Sequence, residues 1–186
     1  MRFLVAVAIA LSLGSPATAA VGYSYAGVST TSGSGLAATV SLSAPRVGVQ
    51  VAAWVGADLG ARWLQVGVVD RGGGSRLYYE VGSPYQLIDL GPARPRERVA
   101  VLQTNVGWIA ISRFGVFGPV RLGRSPSLTA TAEGFGCNDA VARVGSINTR
   151  RHARWSPLRS GFWMRDEGWT LSRYAGGFTA AVNCRP

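Results

Sequence analysis

Trp63-Leu64-Gln65-Val66-Gly67-Val68-Val69 decides the fold of this chain. Side chains two apart on a β-strand share a face. Leu64, Val66 and Val68 then form one unbroken apolar face, and Trp63, Gln65 and Gly67 project the other way. Ser127-Leu128-Thr129-Ala130-Thr131-Ala132-Glu133 repeats the pattern: Leu128, Ala130 and Ala132 are the apolar set, while Thr129, Thr131 and Glu133 share a polar face. Neither Gln65 nor Glu133 is therefore expected between packed layers. Both should look outward from a sheet, and a curved sheet turns that outer face into a groove. Trp54 shares its parity with Ala52, away from Val51, Ala53 and Val55, and is expected on the same surface.

Outward from these two stretches, short β-type runs recur between Gly, Pro, Ser and Asn clusters, and no helical stripe exceeds two turns. Strands are predicted over Leu36–Ser43, Val47–Val55, Trp63–Val69, Arg76–Val81, Gln86–Leu90 and Arg98–Gln103. Six more follow over Gly107–Arg113, Val116–Leu122, Ser127–Glu133, Ala140–Ile147, Gly161–Met164 and Gly177–Asn183. Turns are expected at Ser32-Gly33-Ser34-Gly35, Gly72-Gly73-Gly74, Gly91-Pro92, Gly134 and Gly176-Gly177. Many short strands with tight turns predict an all-β chain, a two-sheet antiparallel β-sandwich of jelly-roll type. No repeat or linker splits it.

The first twenty residues have the pattern of a secretory signal: Arg2, then an apolar stretch from Phe3 to Leu13, then small residues from Ser15 to Ala20. A single domain over residues 21–186 and secretion to the extracellular space are expected, with a monomer and no membrane span. Export favours a disulfide between Cys137 and Cys184, worth roughly 4 kcal/mol by loop closure over a span of just under fifty residues. The formal charge is +10, and all 19 basic residues are Arg, so the surface should attract polyanions. Arg150-Arg151-His152-Ala153-Arg154 is the densest basic run and reads as a solvated loop. No zinc-finger, basic-zipper or RNA-binding aromatic motif points to a specific nucleic acid. His152 is the only histidine, which leaves no metal set and no Ser-His-Asp relay. No cofactor is implied.

An amide and a carboxyl on strands suit a two-residue site, the carboxyl moving protons and the amide holding an oxyanion. Ala53-Trp54-Val55-Gly56-Ala57-Asp58 followed by Leu64-Gln65-Val66-Gly67 resembles the glutamic peptidase (eqolisin) family, with its Ala-Trp-Val-Gly-x-Asp and Leu-Gln-x-Gly segments. Leu77-Tyr78-Tyr79-Glu80 is similar to that family's Trp-Tyr-Glu strand, and Ala132-Glu133 to its Asn-Ala-Glu-Trp motif. Met164-Arg165-Asp166-Glu167-Gly168 and Gly177-Phe178-Thr179 resemble its closing segments. The resemblance implies a concanavalin A-like sandwich and an endopeptidase acting on polypeptides. It further implies a catalytic dyad of Gln65 and Glu133, with Trp54, Asp58, Tyr79 and Glu80 as substrate-binding or supporting residues. Gly134 stands where the family has an aromatic, which would remove a rigid wall from the site.

Two other readings compete. A non-catalytic concanavalin A-like module would bind a glycan or anionic cell-wall polymer in the same groove. Its stacking aromatics would be Trp54, Trp63, Tyr78, Tyr79, Trp155 and Trp163. A glycoside hydrolase would need two carboxylates flanking one bond. Its nearest pair in sequence, Asp166-Glu167, cannot face one substrate from adjacent strand positions.

Overall fold

The alternation resolves into two facing antiparallel sheets and, among the described residues, no helix. The computed structural model describes residues 23–43, 50–123, 126–135, 140–166 and 168–182. In chain order the strands are β1 (Tyr23–Thr30), β2 (Gly35–Leu42), β3 (Gln50–Leu59), β4 (Arg62–Asp70), β5 (Arg76–Gly82), β6 (Gln86–Pro92), β7 (Glu97–Gln103) and β8 (Trp108–Ser112). They continue with β9 (Gly115–Val120), β10 (Ser127–Phe135), β11 (Val141–Arg151), β12 (Arg154–Pro157), β13 (Phe162–Arg165), β14 (Trp169–Tyr174) and β15 (Gly177–Val182). One sheet runs β13-β1-β10-β3-β4-β5-β6, the other β14-β15-β11-β2-β7-β8-β9, with β12 a short ribbon on β11. The expected β-sandwich is present.

Side chains alternate between core and outer face on both β4 and β10. Leu64, Val66, Val68, Leu128, Ala130 and Ala132 are all buried in the core between the sheets. The first sheet contributes mainly Ala and Val to that core, while the second supplies large fillers such as Trp108 and Phe178. Phe178 is fully buried and meets Trp163 edge-on at 5.8 Å between ring centres. Phe178→Ala should lower stability by about 3–5 kcal/mol, through lost burial and an unfilled cavity. Chemical denaturation of the purified protein measures it directly.

Three strands escaped prediction. β1 reads Tyr-Ser-Tyr-Ala-Gly-Val-Ser-Thr, with no Leu or Ile to mark an apolar face, yet Ala26 and Val28 alone fill its inner face. Gly27 is required there, because a Cβ would meet the Cα of Thr131 on β10 at 2.9 Å. β14 has few apolar residues, Trp169 and Leu171 on one face, and β12 is exposed throughout. The expected turn at Gly134 is not one: Gly134 lies within β10, paired with Val51 of β3. Cys137 and Cys184 lie outside the described residues.

Candidate active site

The outer face of the first sheet carries a groove of about 680 Å³. Gln65 of β4 and Glu133 of β10 both line it, as do Trp54, Asp58 and Glu80. β3 separates the two central strands. Gln65 lies opposite Gly56, which lies opposite Thr129; Glu133 lies opposite Ala52, which lies opposite Val69. The register therefore offsets Gln65 and Glu133 by four residues along the strands, about 13 Å at strand rise. They do not bond to each other. Each is held by other groups.

Glu133 Oε2 accepts a 2.9 Å hydrogen bond from Trp54 Nε1. Burial pushes the Glu133 carboxyl above its ordinary range; the Trp54 bond opposes that rise and the nearby Glu80 charge adds to it. The site thus contains an acid whose proton is held more tightly than that of a solvated carboxyl. Such a group can exchange protons under mildly acidic conditions.

Gln65 Nε2 donates to Glu80 Oε2 at 2.7 Å and to the Tyr78 hydroxyl at 3.1 Å. A carboxylate only accepts hydrogen bonds, so the NH2 end of the amide must face Glu80. Both amide hydrogens are committed. The expected role of this NH2 as the oxyanion donor does not match the geometry; the amide carbonyl is the end left to meet a water or a substrate.

Tyr79 does not line the groove. It points into the core and stacks on Phe117 at 5.4 Å, and the aromatic of β5 in the groove is Tyr78. The two-residue period already tied Tyr78 to Glu80, and the four-residue stretch is apolar enough on both faces to hide it. Gly134 is likewise corrected. Its position faces the core side, where a Cβ would meet the Trp169 ring at 2.9 Å. Trp169 fills the space a larger residue at 134 would claim, so no groove wall is lost.

Asp58 accepts from the Gly60 amide at 2.9 Å, shaping the β3–β4 turn at the groove's end. Sequence reasoning missed Tyr25, Arg71 and the groove position of Asp166. Asp166 accepts from the Tyr25 amide at 2.7 Å and fastens β13 to β1, an arrangement invisible without β1 itself. Among the described residues, four acidic side chains line the groove (Asp58, Glu80, Glu133 and Asp166) against one Arg, Arg71. Elsewhere, Asp89 pairs with Arg76 and Glu97 with Arg113. The cationic protein carries an acidic groove.

The aromatics of the binding-module reading do not gather in one place. Trp54, Trp63 and Tyr78 reach the groove, whereas Tyr79 and Trp163 pack with the core. Trp155 lies on the exposed β12 ribbon of the other sheet. No group of three or more potential metal-binding side chains occurs among the described residues, and no helix there is long and apolar enough to cross a membrane.

No protein-family model and no curated protein sequence matches this chain. Solved structures do. A scytalido-glutamic peptidase with a peptide-based transition-state analogue superposes with a TM-score of 0.67 at 13% identity, over 86% of this chain and 98% of that one. SCP-B, a member of the eqolisin family of peptidases in complex with the tripeptide Ala-Ile-His, superposes with a TM-score of 0.62 at 14% identity, over the same shares. This chain has the fold of those two proteins.

Proposed function

We propose that this chain, which has the glutamic-peptidase fold, is itself a secreted glutamic-type endopeptidase with Glu133 as its proton-transfer residue and Gln65 as the partner that organises the site. The observation that carries the reading is a half-buried Glu133 held by Trp54 and a Gln65 held by Glu80, both lining one groove. In this reading the Glu133 carboxylate takes a proton from a water attacking the peptide carbonyl. It then returns that proton to the leaving nitrogen. Gln65 holds Glu80 and Tyr78 in place through its NH2 and presents its carbonyl oxygen as an acceptor.

Groove electrostatics favour a peptide over an anionic wall polymer, one of the two rival occupants. An anionic wall polymer would meet, among the described residues, four acidic side chains and a single Arg, a repulsive surface. The test is digestion of an unfolded protein at mildly acidic pH. Cleavage unaffected by pepstatin-type inhibitors of paired-Asp peptidases is the expected result. No cleavage, together with retention on a glycan or cell-wall column, would establish the binding module instead.

Export and the Cys137–Cys184 disulfide belong to the same proposal. The disulfide is supported by Val182 N, which donates to Ala140 O at 3.3 Å, so the described residues nearest the two cysteines lie side by side. The purified exported protein should lack titratable thiols and weigh two mass units less than its reduced form. Reduction should cost about 4 kcal/mol of stability.

A further inference from the structure

We propose, resting on the peptidase reading above, that the Tyr78 hydroxyl supplies the hydrogen bond that stabilises the oxyanion of the tetrahedral intermediate. Both hydrogens of Gln65 Nε2 are already used, at 2.7 Å by Glu80 and at 3.1 Å by Tyr78. In the second of these bonds the phenol oxygen accepts, because an amide nitrogen can only donate. The phenol's own hydrogen then has no acceptor among the described residues. It is a donor held in position by a bond that it does not have to break.

Position supports the same assignment. Tyr78 is only 3% exposed, yet it lines the groove. Its ring packs with Ala52, Val69 and the partly buried Trp54. Tyr78 lies opposite Gly67, two residues from Gln65 and two from Val69, the β4 residue at the Glu133 level, so it stands between the two groups. It bridges the four-residue offset between the two groups. Burial, with the charges of Glu133 and Glu80, pushes the phenol well above its ordinary range. Tyr78 therefore stays protonated, as a donor must.

The step balances without any added reagent. Water oxygen bonds to the carbonyl carbon, the carbonyl π pair moves onto its oxygen, and Glu133 takes the water's proton. Tyr78 donates a hydrogen bond to that oxygen and keeps its proton. Collapse re-forms the carbonyl and breaks the C–N bond, and the proton on Glu133 passes to the departing nitrogen.

Tyr78→Phe removes only the hydroxyl. The expected result is a fall in kcat of about 10²–10³-fold with KM within about twofold of the parent. Affinity for a tetrahedral phosphinate peptide should fall by a comparable factor, while affinity for a cleaved product peptide stays level. An unchanged far-ultraviolet spectrum and unfolding midpoint would exclude misfolding as the cause. If the variant does not fold, phosphinate binding to the parent with fluorotyrosine in place of tyrosine gives the second measurement. A more acidic phenol at the oxyanion should change that affinity and leave product binding unmoved, and no selective change overturns the assignment. Parental kcat and parental phosphinate affinity in Tyr78→Phe, with Glu133→Gln inactive, would overturn the role of Tyr78 and leave the peptidase reading standing. An inactive parent would remove both.

Discussion

Glu133→Gln is expected to cut peptide hydrolysis by about 10²–10⁴-fold, the range for losing a positioned general acid–base group. Glutamine nearly matches the size of the side chain and can still accept from Trp54 Nε1, so the groove keeps its shape. What disappears is the ability to take and return a proton. Single-turnover cleavage of a defined peptide measures the loss; turnover within threefold of the parent would refute Glu133 as the proton carrier. Stability should move the opposite way at neutral pH. Burial raises the Glu133 pKa above its unfolded value, so the folded state binds the proton more tightly than the unfolded chain does. Any stability gained from that proton is complete below the unfolded carboxyl range and is lost as pH climbs through the raised folded value. The amide that replaces the carboxyl never ionises. The variant should therefore unfold at a higher temperature than the parent at pH 7, and the gap should close toward pH 3.

Gly67→Ala is expected to damage fold and site together. Gly67 lies on the groove face of β4, opposite Trp54 of β3. A Cβ there would meet the carbonyl oxygen of Ala53, and at 2.5 and 2.6 Å the Cβ and Cα of Trp54. Those atoms belong to a neighbouring backbone and cannot swing away, so the β3–β4 pair must part. The cost should approach about 3 kcal/mol, the upper end for overpacking, or roughly 6–12 °C in midpoint for a domain of this size. Trp54 must move with its backbone, and with it the hydrogen bond that positions Glu133. Activity measured well below the lowered midpoint should fall too. A variant with the parent's midpoint and turnover would mean that the two strands yield freely at this point.

The faces of β4 and β10 were legible because Gln65 interrupts an apolar run on β4 and Thr129, Thr131 and Glu133 alternate with apolar residues on β10, and a period of two assigns the remaining side chains. β5 was harder. Leu77-Tyr78-Tyr79 is apolar on both faces, and only pairing of Glu80 with Gln65 reveals which tyrosine turns outward. β1 was hidden for a different reason. Its inner face needs only Ala26 and Val28, while Gly27 is there because Thr131 lies against it. Gly134 was misread from resemblance, since its neighbour Trp169 is distant in sequence and invisible to any local pattern.

By itself, the order of residues determined a sandwich of short strands and the outward direction of Gln65 and Glu133, because alternation is a property of one strand. Tertiary structure alone decided the registers between strands. Those registers place Tyr78 rather than Tyr79 in the groove, commit the Gln65 amide to Glu80, hold Glu133 with Trp54, and gather four carboxylates on a cationic protein. Each depends on which strand lies beside which, and hydrogen bonding between distant segments settles that only once the chain has folded.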